Sequence, residues 1–305
     1  MKKINLIIRF VISIFIIYFL IDKIGLQNIS SNIILIHPLF FILTVFLIVI
    51  GLIIGALNLD ILLIPIKKIS FRKVFYYNTL SWSLGLFVPG KIGELSLIPF
   101  LRKEGIPTGH GTVISILDKL ISLMVLSLSS VVGFLIFFDL ETTLKLMVAL
   151  SLLVAALLFL IISDMGRNFI KRFILRKFSI KFQGFSKLLF YYFKKQKSII
   201  FLNFIVTIIK WIVNAVILYT LFMAYGENIN FLTIFLINSM LMVISLIPIS
   251  ISGLGVRESI AIFIYSTLNI NPLITISTHL IPLIISYFIA VLIILFSFKK
   301  LDFHI

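Results

Sequence analysis

The stretch FVPGKIGELSLIPFLRKEG, residues 87–105, interrupts an apolar part of the sequence with a Pro-Gly pair and sets Lys91 and Glu94 beside the break. The run before it, residues 75–88, carries no charge. Proline disfavours the interior of a helix, because it lacks an N–H donor and its ring clashes with the preceding turn, and glycine permits turns that other residues resist. We therefore expect two short helical arms that meet at this break, rather than one long helix.

The composition of the whole chain indicates whether lipid or water surrounds most of it. Of 305 residues, 61% are hydrophobic and 12% are charged, whereas soluble domains have about 25% charged residues and under about 50% apolar ones. The sequence predicts an all-α polytopic membrane protein, with residues 1–305 as a single integral membrane domain. The chain contains no cysteine, which excludes a disulfide framework, a thiol nucleophile and a cysteine-bound metal site.

The net charge of +16 raises the question of nucleic-acid binding. The lysines and arginines stand beside apolar segments, which is typical of cytoplasmic loops of membrane proteins. We therefore expect lipid partners with anionic head groups and no nucleic acid. The longest basic stretch, residues 165–198, is predicted to be a cytoplasmic loop of a cell-membrane protein.

Six segments are long and apolar enough to cross a bilayer, which takes about 20 residues. We expect the first to be a retained helix rather than a cleaved signal, because no cleavage site follows it. The six segments are residues 4–21, 38–66, 110–138, 143–163, 199–223 and 273–298.

Two further apolar regions, residues 74–101 and 231–268, consist of short arms around the breaks VPGKIGE and IPISISGLGVRE. Basic residues on both sides of the first region predict that it enters and leaves on the cytoplasmic side. The second region then opens on the other side, and both chain termini are cytoplasmic. The alternative is eight transmembrane helices, in which every arm crosses the membrane.

The first assignment gives six full transmembrane helices plus two re-entrant, short-arm helical hairpins. The order span, span, hairpin, span occurs twice, in halves of about 1–140 and 141–305, with the second half upside down. Inverted repeats with broken helices near the midplane are the architecture of many secondary transporters.

The sequence at the first break, VPGKIGE, predicts a site where an anion binds. Pro89 stops one arm, Gly90 and Gly93 allow the turn, and the second arm begins near Glu94. The first N–H groups of a helix carry partial positive charge and suit a phosphate, and Lys91 adds a full charge.

The second break repeats this pattern with Gly253, Gly255 and Arg257. We expect the two tips to meet near the midplane and to frame one substrate site. Arg257 and Glu258 are neighbours that should point apart on a helix, so we expect pairing of Glu94 with Arg257 and of Glu258 with Lys91. Proton carriage and direct substrate contact are the alternative roles for the two glutamates.

Asp118 and Lys119 form a second charged pair within a predicted span. Each should find a partner on another helix or water in a cavity, and we interpret the pair as supporting intramembrane charges. Asn58, Asp60 and Lys210 are interpreted as snorkelling or pairing groups rather than functional ones.

The motifs FVPGKIGELSLIPFLRKEGI, VISILDKL and LIPISISGLGVRESIAIFI resemble signatures of the lysylphosphatidylglycerol synthase transmembrane family, over nearly the whole chain. Because membrane segments use up the chain, we expect a stand-alone member without the aminoacyltransferase domain. The motif residues that the resemblance carries over are Pro89, Gly90, Lys91, Gly93, Glu94, Asp118, Lys119, Pro248, Gly253, Gly255, Arg257 and Glu258.

The resemblance implies a lipid flippase or transporter that moves an anionic or aminoacylated phospholipid or a lipid-linked head group between leaflets. We expect no enzyme activity, cofactor or metal, since HExxH is absent and the four histidines are scattered. Two alternatives stay open: a membrane scaffold for a partner glycosyltransferase or lipid synthase, and an intramembrane lipid-phosphate enzyme.

Overall fold

The computed structural model describes residues 18, 22, 25–163, 165–166, 184–245 and 254–298, with the backbone alone at 89–92, 149–150, 153–154, 157–158, 160–162 and 298. The predicted first span, residues 4–21, lies outside this range except for Tyr18. Pro248 and Gly253 also lie outside it.

Every element of the described range is helical, which confirms the all-α prediction. A 3-10 helix spans Pro89–Ser96. The α-helices are α1 (Leu26–Ile34), α2 (Pro38–Leu63), α3 (Phe71–Phe87), α4 (Leu97–Lys103), α5 (Thr108–Phe137), α6 (Leu140–Ile162), α7 (Phe185–Lys195), α8 (Lys197–Ala224), α9 (Phe231–Ile244), α10 (Val256–Thr267) and α11 (Pro272–Phe298).

Four helices in the described part of the chain, α2, α5, α8 and α11, are long and apolar enough to cross a membrane. They coincide with four predicted spans, and α6 coincides with a fifth, residues 143–163. Helices of this length present few polar groups to lipid because their backbone bonds are internal. The prediction of a multi-pass membrane protein is therefore confirmed.

The first hairpin reverses direction at the quoted stretch. The 3-10 helix and α4 run back along α3, so Gly93 lies against the Leu84 carbonyl and the Ser96 hydroxyl donates to Ser81 at 3.2 Å. Farther along, the rings of Tyr77 and Phe100 stack with centroids 5.6 Å apart. These antiparallel contacts show that the hairpin starts and ends at one end of the bundle.

One detail of this hairpin was predicted wrongly. The second arm becomes α-helical at Leu97, and Glu94 lies within the 3-10 helix instead of at an α-helical N-terminus. Gly90 and Gly93 weaken α-helix formation here, and short 3-10 segments are common connectors. Because α4 has only seven residues, the predicted anion site at its start has little helix dipole behind it.

The second hairpin consists of α9 and α10, whose connection at 246–253 lies outside the described residues. Gly255 precedes α10 with φ of 82°, in the left-handed region. A residue with a side chain is strained in this conformation, so a glycine at this position fits the start of α10.

The helix contacts occur in matching pairs across the two halves of the chain. The first arms α3 and α9 pack against the last helix of the opposite half, α11 and α5 respectively. The contacts of α2 with α3 and of α4 with α5 are matched by α8 with α9 and by α10 with α11. The helices α2 and α8 pack against each other and join the halves.

Two apolar cores lie at opposite ends of α5. The first contains Leu62, Leu101 and Ile114 and is formed by the end of α2, the first hairpin, the start of α5 and α7. The second contains Phe134 and Tyr265 and is formed by the end of α5, α8 and the second hairpin. The middle of α5 lies between them.

The predicted basic loop contains a packed helix, α7. Leu188, Leu189 and Tyr192 are buried, and the Tyr192 hydroxyl donates to the Leu62 carbonyl at the end of α2. The opposite face exposes aromatic rings and lysines, and only Gln196 separates α7 from α8. Amphipathic helices of this composition lie in the interface layer of a membrane. The exposed residues of α7 are Lys187, Phe190, Tyr191, Phe193, Lys194 and Lys195.

Glu104 lies at the open end of the first hairpin and binds side chains of the opposite arm. We expect this contact to be sensitive to acid. Tyr77 donates to its carboxylate at 2.6 Å and Lys73 donates at 2.9 Å, and these two hydrogen bonds lower the pKa of Glu104. A lowered folded-state pKa adds stability above the unfolded pKa of about 4.3, and this stability is lost as the pH falls through the folded value. Acidification should therefore lower the melting temperature of the purified protein more than that of Glu104→Gln. Parallel melting curves against pH for the two proteins would contradict this.

Candidate functional site

Four charged side chains from three segments meet between the two apolar cores. Glu94 comes from the 3-10 helix, Asp118 and Lys119 from α5, and Lys210 from α8. Lys210 is in the middle of a 28-residue helix, and at 1.5 Å per residue it lies about 20 Å from either helix end. We call these four residues the charged cluster.

Lys119 is the centre of the charged cluster. Its ammonium contacts the carboxylate of Glu94, and it lies 3.2 Å from an oxygen of Asp118. The two carboxylates are 15% and 17% exposed, whereas the Lys119 side chain is 57% exposed. Lys119 is thus the exposed member of the charged cluster. The ion pair with Glu94 also ties the first hairpin to α5.

Asp118 is held by a buried polar network that joins three helices. Asn58 on α2 donates to Asp118 at 3.2 Å and to the Thr207 hydroxyl at 2.8 Å. Asn203 on α8 donates to the Asn58 carbonyl at 2.8 Å. Asn58, Asn203 and Thr207 are fully buried. Such a network orients Asp118 toward Lys119, because each member is fixed by a partner on another helix.

Of the two interpretations of Lys210, snorkelling or pairing, the structure supports pairing. A lysine side chain extends roughly 6 Å, which is far less than the distance of about 20 Å to the helix ends. Its ammonium donates to the Ser122 hydroxyl at 3.2 Å and lies 5.8 Å from the centre of the Trp211 ring. Lys210 therefore belongs to the charged cluster.

At the second hairpin, Glu258 turns back onto the start of its own helix. It accepts a hydrogen bond from the Gly255 N–H at 2.7 Å and two from Arg257, at 3.1 and 2.8 Å. Glu258 is 3% exposed. Its carboxylate thus occupies the helix N-terminus that the sequence analysis had assigned to an anionic ligand.

The predicted ion pair of Glu94 with Arg257 is absent from the described residues, and each of the two has a different partner. Glu94 contacts Lys119, and Arg257 contacts Glu258 despite being its neighbour in the sequence. The expectation that these neighbours point apart fails because Glu258 bends to cap the helix and the long Arg257 side chain follows it. The side chain of Lys91 is not described, so its pairing with Glu258 stays a prediction.

The two hairpins are connected through α11. The hydroxyl of Tyr287 donates to the Leu86 carbonyl at the end of α3, at 3.0 Å, and its ring contacts the Phe87 ring with centroids 5.3 Å apart. The helix α11 also packs on α10, which carries Arg257 and Glu258. In the described residues no ion pair bridges the charged cluster and the Arg257–Glu258 pair, so these are two polar centres linked by one helix.

The sequence matches the family model described as lysylphosphatidylglycerol synthase TM region over residues 6–303. The chain belongs to this family. No curated protein gives a significant match. Family membership confirms the resemblance drawn from the motifs and indicates a membrane protein with a lipid-related function. Partners of this family member accordingly include membrane lipids.

The family motifs fall on both polar centres. Glu94, Asp118 and Lys119 come together in the charged cluster, and Gly255, Arg257 and Glu258 form the second centre. Pro89 and Gly90 start the 3-10 helix, and Gly93 lets it approach α3. Their role in substrate binding stays a prediction. Among the described residues, no group of three His, Asp or Glu side chains is arranged to hold a metal ion.

The contribution of α8 to the charged cluster was not predicted from the sequence. Asn203, Thr207 and Lys210 recur at intervals of four and three residues, which places them on one face of the helix. This polar stripe within an apolar span was the available signal. The partner of the stripe, Asn58 on α2, could not be identified from the sequence because it depends on how two distant helices rotate against each other.

Proposed function

We propose that this family member moves an anionic or aminoacylated phospholipid, or a lipid-linked head group, between the leaflets of the cell membrane. The observation that carries the proposal is the charged cluster, which joins the first hairpin to α5, includes Lys210 halfway along α8 and leaves the Lys119 side chain exposed. Charges at this depth cost several kcal/mol and are typical of substrate or ion pathways.

The cluster would lower the main barrier to translocation. A head group that crosses hydrocarbon must lose its water, and fixed polar groups halfway across replace part of that hydration. Glu94 sits on a hairpin tip while Lys119 and Asp118 sit on a long helix. Movements of the hairpin relative to α5 would therefore change the groups that surround Lys119.

Two features support an inverted repeat and thus alternating exposure of this site. The helix contacts occur in matching pairs, and the cores of the two hairpins lie at opposite ends of α5. Halves with opposite orientation give a transporter two related end states, one open to each side. We propose six spans and two re-entrant hairpins on this basis, with the substrate residues of both breaks facing the pathway.

The orientation follows from the basic end of the bundle. Lys73, Arg102 and Lys103 belong to the open end of the first hairpin, and α7 adds further lysines beside it. Short loops rich in lysine and arginine stay in the cytoplasm. We propose that this end, together with both termini, is cytoplasmic.

The proposal is tested by reconstituting the purified protein into vesicles that contain either fluorescent phosphatidylglycerol or its fluorescent aminoacylated form. Reduction of the outer-leaflet dye with dithionite then measures how fast inner-leaflet lipid becomes accessible. We expect the protein to accelerate the exchange of phosphatidylglycerol relative to empty vesicles. Equal rates with and without protein for anionic and aminoacylated lipids alike would contradict the proposal, and recovery of a chemically changed lipid would indicate an enzyme.

A further inference from the structure

Lys210 differs from Lys119 in the groups that neutralise it. Lys119 contacts the carboxylates of both Glu94 and Asp118. In the part of the chain that the structure describes, Lys210 has no carboxylate within 4.0 Å, and its ammonium donates to the Ser122 hydroxyl. The charged cluster thus contains one lysine with two close acidic partners and one with none.

The position of Lys210 makes this lack of a counter-ion costly. The residue lies halfway along α8, too far from either end for its ammonium to reach bulk water. Glu94 and Asp118 act on it only at longer range, and Lys119 repels it. An ammonium group in such surroundings is stabilised most by an anion that comes into direct contact.

The remaining N–H donors of the ammonium determine which kind of anion suits this position. An ammonium group has three N–H donors, and Ser122 accepts one of them. The Trp211 ring covers another side at 5.8 Å without accepting a conventional hydrogen bond. Two donors are left for a group with several strong acceptors, and the phosphodiester of a phospholipid offers two neighbouring oxygens that share one negative charge.

We propose that Lys210, with Ser122 beside it, is the phosphate-binding residue of the lipid pathway. The inference rests on the proposed function, because it takes the phospholipid head group as the ligand of the charged cluster. In this arrangement Lys119 stays in contact with the carboxylates of Glu94 and Asp118. The positive charge of Lys210 is then available to bind the phosphate of the lipid. Lipids that lack a phosphate are therefore expected to bind without help from Lys210.

The test measures lipid binding by native mass spectrometry on the purified full-length protein. The probes are phosphatidylglycerol, diacylglycerol with the same acyl chains, and inorganic phosphate as a competitor. The variants are Lys210→Met, Lys210→Gln and Lys210→Arg, with Lys145→Gln as the matched control, since Lys145 belongs to an exposed pair with Glu141.

We expect Lys210→Met and Lys210→Gln to weaken phosphatidylglycerol binding by roughly 10- to 100-fold, the range of one charge-assisted contact. Lys210→Arg should restore most of the binding, and diacylglycerol binding should not change. Wild-type affinity for phosphatidylglycerol in Lys210→Gln would overturn the inference, as would equal losses for both lipids. If Lys210→Met does not fold, the comparison of the glutamine and arginine variants decides.

The outcomes separate this inference from the proposed function. Binding that depends on Lys210 in a protein that moves no lipid would refute the flippase and keep the phosphate site. Translocation that is insensitive to Lys210→Gln would refute the phosphate site and keep the flippase. Displacement of the lipid by millimolar inorganic phosphate would assign the site to free phosphate instead, and that result also overturns the inference.

Discussion

Replacing Glu94 with glutamine is expected to slow lipid translocation by about 100-fold while the protein still folds. The substitution keeps the shape of the side chain and removes the charge that ties the first hairpin to Lys119. At 1.4 kcal/mol for each factor of ten, a 100-fold change corresponds to about 2.8 kcal/mol of lost stabilisation of the head group in the pathway. Asp118 still neutralises Lys119 in the variant, so the bundle is expected to stay intact.

The effect of Glu94→Gln is measured as the rate of phosphatidylglycerol exchange in vesicles, alongside the melting temperature in detergent. Glu141→Gln is the matched control, because Glu141 forms an exposed pair with Lys145 at 2.6 Å, and exposed pairs contribute little. A rate within about two-fold of wild type for Glu94→Gln would exclude the charged cluster from the transport pathway. A large fall in melting temperature would instead assign the ion pair a structural role.

Replacing Gly93 with alanine is expected to destabilise the protein by more than about 3 kcal/mol, at or beyond the upper limit of typical overpacking. A Cβ atom at this position would overlap the carbonyl of Leu84 and would lie 2.8 Å from the backbone nitrogen of Gly85. Both groups belong to the backbone of α3 and cannot rotate away. The 3-10 helix would have to separate from α3, and Glu94 would move with it.

Gly51→Ala is the control for this substitution. Gly51 lies in α2, and a Cβ atom added there would have no neighbouring atom within 4 Å. Alanine favours a helix by about 1 kcal/mol relative to glycine. We expect unchanged or slightly raised thermal stability for Gly51→Ala and a large loss for Gly93→Ala. Equal melting temperatures for the two variants would show that the hairpin is not packed as closely as described.

Much of the fold could be predicted from local features of the sequence. Long apolar runs gave the positions of α2, α5, α6, α8 and α11, because a helix that crosses lipid needs little beyond length and apolarity. The break at Pro89 and Gly90 marked the reversal of the first hairpin. The presence of α7 within the basic stretch was harder to predict, since its packing depends on a groove formed by other helices.

The partners within the site could not be predicted in the same way. The contact of Lys119 with Glu94 depends on how the 3-10 helix lies against α5, and the contact of Asp118 with Asn58 depends on the rotation of α2. Side-chain bending also matters, as Glu258 caps its own helix and draws Arg257 with it. The sequence therefore identified most of the charged residues, but the predicted pair of Glu94 with Arg257 was wrong.

Because only Gln196 separates α7 from α8, a movement of one helix is expected to affect the other. The helix α7 is fastened to α2 through Tyr192 on one side and continues almost directly into α8 on the other. A tilt or lift of α7 must pull on the helix that carries Asn203, Thr207 and Lys210. Anionic lipid at the membrane surface, which attracts the exposed lysines of α7, is therefore expected to shift the helix that carries these polar residues.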